Sequence, residues 1–327
     1  MRVSASFVCV VLSTVAGLVR AEPLNPKQVS ADAKWLVHLN ADAMRSSAMI
    51  DQGYKERGDK AKAIIEKVPE LRGLCDAIDP AKNVQGITLY GTQLKPEGVA
   101  ILQAKLTEPV LNTLYEDVQK LPDYATSSHG SHEIYTWTHA KGTSHQHGVA
   151  SSYVQPNMLV FGTSVGEVEN ALDVLDGKKP NLAGKCALAA PAPAGALLLV
   201  RVAGLAKLDC LHIDSPIVKQ ADVLGLTLGE DNNEAYLTGE ILAKDAKTAA
   251  KVKETVDNAL TAALQTVDDS DLSELLNAIQ VDSKDKTVTA DVRGPADGAW
   301  KYVEKLAQQT FQLARKRLAA QAAPTKK

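Results

Sequence analysis

The stretch Val84–Gly91 reads VQGITLYG, and far downstream Val223–Gly229 reads VLGLTLG. Each contains Gly, an aliphatic residue, Thr and Leu in that order. Large apolar side chains alternate with small or polar ones, the period of a strand with one face in a core. A second strand pattern follows each. Val99–Leu106 (VAILQAKL) comes after a turn with Pro96, Glu97 and Gly98, and Glu234–Ala243 (EAYLTGEILA) comes after a turn at Gly229–Asn233. The sequence therefore predicts two similar antiparallel pairs, one in each half of the chain.

Outward from these pairs the surroundings also match. Lys34–Leu39 (KWLVHL) opens the first half as a strand, and Ala196–Val202 (ALLLVRV) opens the second. In the first half Ala41–Tyr54 and Lys60–Ile78 read as helices before the pair, the latter divided at Pro69. In the second, Ser215-Pro216 caps a short helix. A longer helix follows each pair. The first starts at Thr107-Glu108-Pro109 with a stripe of Val110, Leu111, Leu114, Val118 and Leu121. The second is capped by Asp245 and carries Ala249, Val252, Val256, Leu260 and Ala263. Asn157–Gly162 is then a buried strand, and Ser164 with Glu167 forms a capping box for a helix that Gly177 ends. The second half has a capping box at Asp271 and Glu274, a hairpin over Gln280–Arg293 and a last helix opened by Pro295.

This order predicts an α+β fold with two similar halves from an internal duplication and antiparallel sheets covered by helices on one face. Two domains or one continuous sheet would both satisfy it. Residues 22–177 form the first α+β repeat, 178–195 an Ala/Pro linker with Pro180, Pro191 and Pro193, and 196–318 the second repeat, followed by a tail over 319–327. The linker composition predicts an extended, surface-bound segment.

Residues 1–21 stand apart. Met1-Arg2 is positive, Phe7–Val19 is mostly apolar, and Val19-Arg20-Ala21 offers small side chains where signal peptidase reads. This is the layout of a secretory signal peptide cleaved near Ala21. The run falls short of the roughly 20 residues that span a bilayer, and the rest of the sequence holds no apolar run of that length. The expected address is outside the cytoplasm, periplasmic or extracellular. After cleavage 34 basic residues face 39 acidic ones, a net of −5, with no basic patch for nucleic-acid phosphates. Hydrophobic residues make up 45% and charged residues 23%, a globular balance, but aromatics are only 4%, so Leu, Val, Ile and Ala must build the core. Cys75, Cys186 and Cys210 remain in the exported chain. Cys186 and Cys210 flank one strand and are the favoured disulfide pair; three small buried hydrophobes is the alternative.

The chemistry-bearing side chains concentrate in His129–His147, HGSHEIYTWTHAKGTSHQH, which holds five of the seven histidines: His129, His132, His139, His145 and His147. His132–His139 alternates as a strand, with His132, Ile134, Thr136 and Thr138 on one face and Glu133, Tyr135, Trp137 and His139 on the other. A turn around Gly142 lets Gln146–Val154 return antiparallel, which brings His139 close to the returning strand. Imidazoles so placed suit Zn or Cu, with Glu133 as a possible oxygen ligand. A polar, solvated hairpin with Tyr135 and Trp137 resting on the core is the plainer reading. No HExxH, Cys/His zinc spacing, Walker loop or dinucleotide fingerprint is present.

WLVHLNADAMRSS, GITLYGTQ, HGSHEIYTWTHAKGT and LVFGTSVGEVENALDVLDGKKPNLAG together resemble a group of uncharacterised exported bacterial proteins of planctomycete type. The resemblance covers nearly all of the exported chain. It implies an exported α+β protein and brings no reaction and no site residues with it.

Three functions follow as expectations. The first is a non-enzymatic binding or envelope-associated module with an unassigned ligand or protein partner. The second is an exported transition-metal-binding protein that uses the His-rich hairpin. The third is a hydrolase with a histidine-centred site, in which His129 or His132 would act with Glu133.

Overall fold

The computed structural model describes residues 24–55, 78, 82–94, 97–142, 146–154, 157–183, 187–204, 220–306 and 308. The signal-peptide stretch, most of the helix expected over 60–78, the capped helix at Ser215-Pro216, and Cys75, Cys186, Cys210 and His145 all lie outside these residues.

Every described strand joins one 12-stranded antiparallel sheet. In chain order the strands are β1 (Trp35–Asn40), β2 (Val84–Gly91), β3 (Val99–Ala104), β4 (Ala125–His129), β5 (His132–His139), β6 (His147–Val154), β7 (Met158–Gly162), β8 (Ala196–Ala203), β9 (Ala221–Asp231), β10 (Glu234–Ala243), β11 (Gln280–Lys284) and β12 (Thr287–Pro295). Their order across the sheet is β11-β12-β10-β9-β8-β1-β2-β3-β7-β6-β5-β4. The seam between the two halves of the chain is β1 against β8, with Val37 opposite Val200 and His38 opposite Leu199. From this seam a strand, its hairpin pair and a returning hairpin follow in both directions. The two similar tetrapeptides hold corresponding places: Thr88 lies opposite His38, Thr227 lies opposite Leu199, and both threonines are buried. The β4–β5 hairpin adds two strands on one side only.

Helices α1 (Ala41–Arg45), α2 (Glu108–Val118), α3 (Val165–Leu175), α4 (Ala246–Thr266) and α5 (Ser270–Ala278) accompany the sheet, with further helical segments over 48–55 and 300–306. One face of the sheet presents Leu39, Leu102, Leu159, Leu198 and Leu237. It packs under α1, the 48–55 segment, α2 and the 300–306 segment through Met44, Ile50, Leu111 and Trp300. At the far end of the same face α4 rests Ala249 and Val252 on Ile241 and Val288. The opposite face, with Leu36, Tyr90, Ile101, Ile134 and Val160, carries α3 through Val168, Ala171 and Leu172. The second half thus has helices on one face, while the first half gains α3 on the other.

Residues 178–183 and 187–195 run across this second face and contribute to its core. Leu182 and Leu188 are buried there. The buried Arg201 guanidinium donates to the carbonyls of Leu188 (3.1 Å), Ala190 and Pro191 (3.4 Å). Tyr236 Oη donates to Ala194 O at 2.7 Å. A buried cation needs such acceptors, and here they fix the crossing in place.

The helix expected over 41–54 is broken at Ser46–Ser47. Ser46 Oγ donates back to Ala43 O at 3.0 Å, which closes α1. Ser47 Oγ accepts from Ile50 N at 3.1 Å and opens the next segment. The carboxylate of Glu230, on β9, accepts from Ser47 Oγ (2.6 Å), Ala48 N (3.0 Å) and Met49 N (3.1 Å). Hydrogen-bonding side chains compete with the helix here and then cap its resumption. Other caps fall close to their expected places. Ser164 Oγ accepts from Glu167 N, but Glu167 reaches Thr163 N, one residue outside the box. Asp269, not Asp271, caps α5 by accepting from Leu272 N, and Asp271 pairs instead with Lys301 and Lys305.

Candidate functional site

The histidine stretch folds as a ribbon, and its rings go to different places. β5 spans the expected His132–His139 and β6 returns antiparallel from His147. One segment goes beyond the sequence reading. Ala125–His129 is itself a strand, β4, and it turns into β5 through Gly130 at φ +61. His129 and His132 therefore face each other at a tight hairpin end instead of sitting in a loop. Nothing in the pattern of Ala125–Ser128 announced this, because β4 is exposed and small-polar throughout.

That hairpin end docks on α3. His129 Nε2 lies 2.8 Å from Asp173 Oδ1, and its Nδ1 lies 3.6 Å from Glu169 Oε1. His132 Nε2 lies 2.9 Å from Asp176 Oδ1. The same carboxylates also take lysines: Lys179 Nζ is 3.1 Å from Asp173 and Lys178 Nζ is 2.8 Å from Asp176. Asp173 and Asp176 are three residues apart on and just past α3, so one helical turn presents both. The His129 and Lys179 bonds hold the Asp173 carboxyl below the usual range, and those of Lys178 and His132 do the same for Asp176. A carboxylate beside an imidazole orients the ring, as a hydrolase would require. Among the described residues, however, neither ring hydrogen-bonds a hydroxyl or thiol. Glu133 accepts from Tyr135 Oη at 2.6 Å, on the opposite face from His132.

His139 and His147 form a separate pair. They are directly opposed across β5 and β6, with ring centroids 4.8 Å apart and planes at 49°. Among the described residues no cluster of three or more His, Cys, Asp or Glu side chains is placed to hold a metal ion. His38 is buried at the seam with Nδ1 3.0 Å from Thr88 Oγ1, a packed strand histidine.

A second surface escaped the sequence reading. Between α4 and the Trp300 cluster the row Val200–Leu226–Gly239–Ala290 has no described helix over it, and the next row, Val202–Leu224–Ile241–Val288, runs under α4 at its Ile241–Val288 end. These rows floor a groove of about 370 Å³, walled on one side by Val256 of α4. Leu226 is 42% exposed although it lies mid-strand. Gly239 leaves the floor open, since a Cβ there would meet nothing closer than Ala290 O at 3.8 Å.

The fold and its surfaces define an α+β protein on one open antiparallel sheet, with a polar hairpin clamped to a helix and an uncovered aliphatic groove. No family model and no curated protein matches the chain. Among solved structures it is similar to TP0453. Crystal form III matches at 10% identity over 88% of this chain and 99% of that one, TM-score 0.47. Crystal form I matches at 10% identity over 86% and 98%, TM-score 0.45. No function passes to this chain from that likeness.

Proposed function

We propose that the protein is an exported, non-catalytic binding module whose ligand seat is the aliphatic groove on the second half of the sheet. The carrying observation is Leu226. A large apolar side chain in the middle of a sheet, 42% exposed and flanked by Val200, Leu224 and Ile241, is a surface left for something to cover. The groove's size lies within the range of small-molecule pockets. Apart from Glu240 its lining is aliphatic or glycine and offers dispersion contacts, so the ligand it suits is a small, mainly apolar molecule. The layout of residues 1–21 and the resemblance to exported planctomycete-type proteins support the address. No helix among the described residues is long and apolar enough to cross a membrane.

The test is binding of an environment-sensitive apolar dye, N-phenyl-1-naphthylamine, to residues 22–327. Saturable enhancement is expected, with an affinity weakened about tenfold or more in Leu226→Asp, which desolvates a charge on the groove floor. Dye binding that is unaltered by Leu226→Asp, or no saturable binding, would remove the groove as the seat.

A further inference from the structure

The outer end of the β5–β6 ribbon carries a feature that neither the core nor the groove uses. His139 is the last residue of β5 and His147 the first of β6, and they are register partners. Directly opposed side chains on antiparallel strands leave the same face with Cβ atoms about 4.5–5.5 Å apart. The observed centroid separation of 4.8 Å therefore follows from the strand pairing itself. The ribbon is flanked by β4 as far as Thr136 and by β7 as far as Ala150, and beyond them its outer end is tied by Thr138, whose N donates to Pro122 O and whose Oγ1 donates to Asp123 Oδ2, each at 2.8 Å. Two rows inward Trp137 lies opposite Val149 and is buried, which anchors the strand that carries His139. The rings thus sit on a fixed frame, with His147 exposed.

The geometry points to a cross-strand bis-imidazole site, His139 with His147, for a borderline transition-metal dication of the Cu²⁺ or Zn²⁺ type. Neutral imidazole nitrogen suits these ions, whereas Ca²⁺ and Mg²⁺ want oxygen ligands. Two protein ligands fix two coordination positions and leave the rest to water. That is one ligand fewer than a catalytic zinc site has, so the affinity belongs in the micromolar range. The other placed histidines of the stretch are poorer hosts. At His129 and His132 an arriving ion meets the ammonium groups of Lys178 and Lys179 on the Asp176 and Asp173 carboxylates. Near the proposed site Lys141 is paired with Asp123, which offsets its charge.

Calorimetric titration of residues 22–327 with CuSO₄ and with ZnCl₂ tests this. A single ion is expected with a Kd of roughly 1–100 μM. His139→Ala and His147→Ala should each weaken it about tenfold or more, while the double variant His129→Ala/His132→Ala should bind as the wild type does. In proton NMR the ring signals of His139 and His147 should shift or broaden first. Both positions lie at a hairpin end, and matching far-UV circular dichroism will show that the variants fold. Isotherms of His139→Ala and His147→Ala that superimpose on the wild type would overturn the site. So would the absence of any binding below about 100 μM, or equal loss in the His129/His132 variant.

Discussion

Asp173 and Asp176 each accept from an imidazole on β4–β5 and from a neighbouring lysine, and both carboxyls are held below the ordinary range. The sign of the consequence is fixed. A carboxylate whose folded pKa lies below its unfolded value binds fewer protons when folded. Its contribution is complete above about pH 4, the unfolded value, and is lost as the pH falls through the folded one. Thermal unfolding of the wild type should therefore lose more of its midpoint between about pH 5 and pH 2 than Asp173→Asn/Asp176→Asn does. Parallel profiles would mean that the clamp adds nothing to stability. Other depressed carboxylates, such as Asp245 and Asp269, titrate in both proteins and cancel from the difference. The clamp was not legible in the sequence. Periodicity locates a histidine on a strand, but both partners lie 44 residues downstream on an element whose polar face carries no mark of what docks there.

At the scale of elements the strands were the most legible. β2 and β10 begin and end where their alternation does, and β5 spans the eight residues whose faces the sequence had sorted. Alternation is a local property, and in these strands tertiary packing agrees with it. β4 has no alternation to read, because an edge strand with no large apolar side chain gains its order from pairing alone. The break between α1 and the 48–55 segment was hidden for a different reason. Ser46 and Ser47 tolerate a helix, and a carboxylate far along the chain decides otherwise. Glu230 supplies that carboxylate and satisfies two helix-start N–H groups and a hydroxyl. Glu230→Ala should cost about 1–2 kcal/mol in urea unfolding, with Glu230→Gln between the two. A cost within the error of an ordinary surface substitution, about 0.5 kcal/mol, would show that the cap is not stabilising.

For the whole molecule the deciding contact is β1 against β8, which makes one sheet of the two halves. Sequence patterning left this open, since two apolar strands announce burial and not the identity of their neighbours. The same ambiguity concealed the groove. Leu226 reads like Leu228, and only the placement of helices decides that one is exposed and the other buried. With the seam intact and residues 178–183 and 187–195 packed across it, unfolding should be a single transition. Intrinsic fluorescence samples Trp35 at the seam, Trp137 on β5 and Trp300 over the helical face. Its urea curve should coincide with that of far-UV circular dichroism. Two separated transitions would mean that the halves fold independently.

The open sheet also ends somewhere, and how it ends has a consequence for the chain among its own copies. Among the described strands the outermost are β4 and β11, five residues each. Both are largely exposed, and they read ATSSH and QVDSK. Neither offers the long, flat, apolar rim that recruits a further strand, and Asp282 and Lys284 put both signs of charge on one of them. A sheet of this width would otherwise be a template for its own polymerisation. Among the described strands neither rim favours such growth, so the molecule can be concentrated without assembling into fibres.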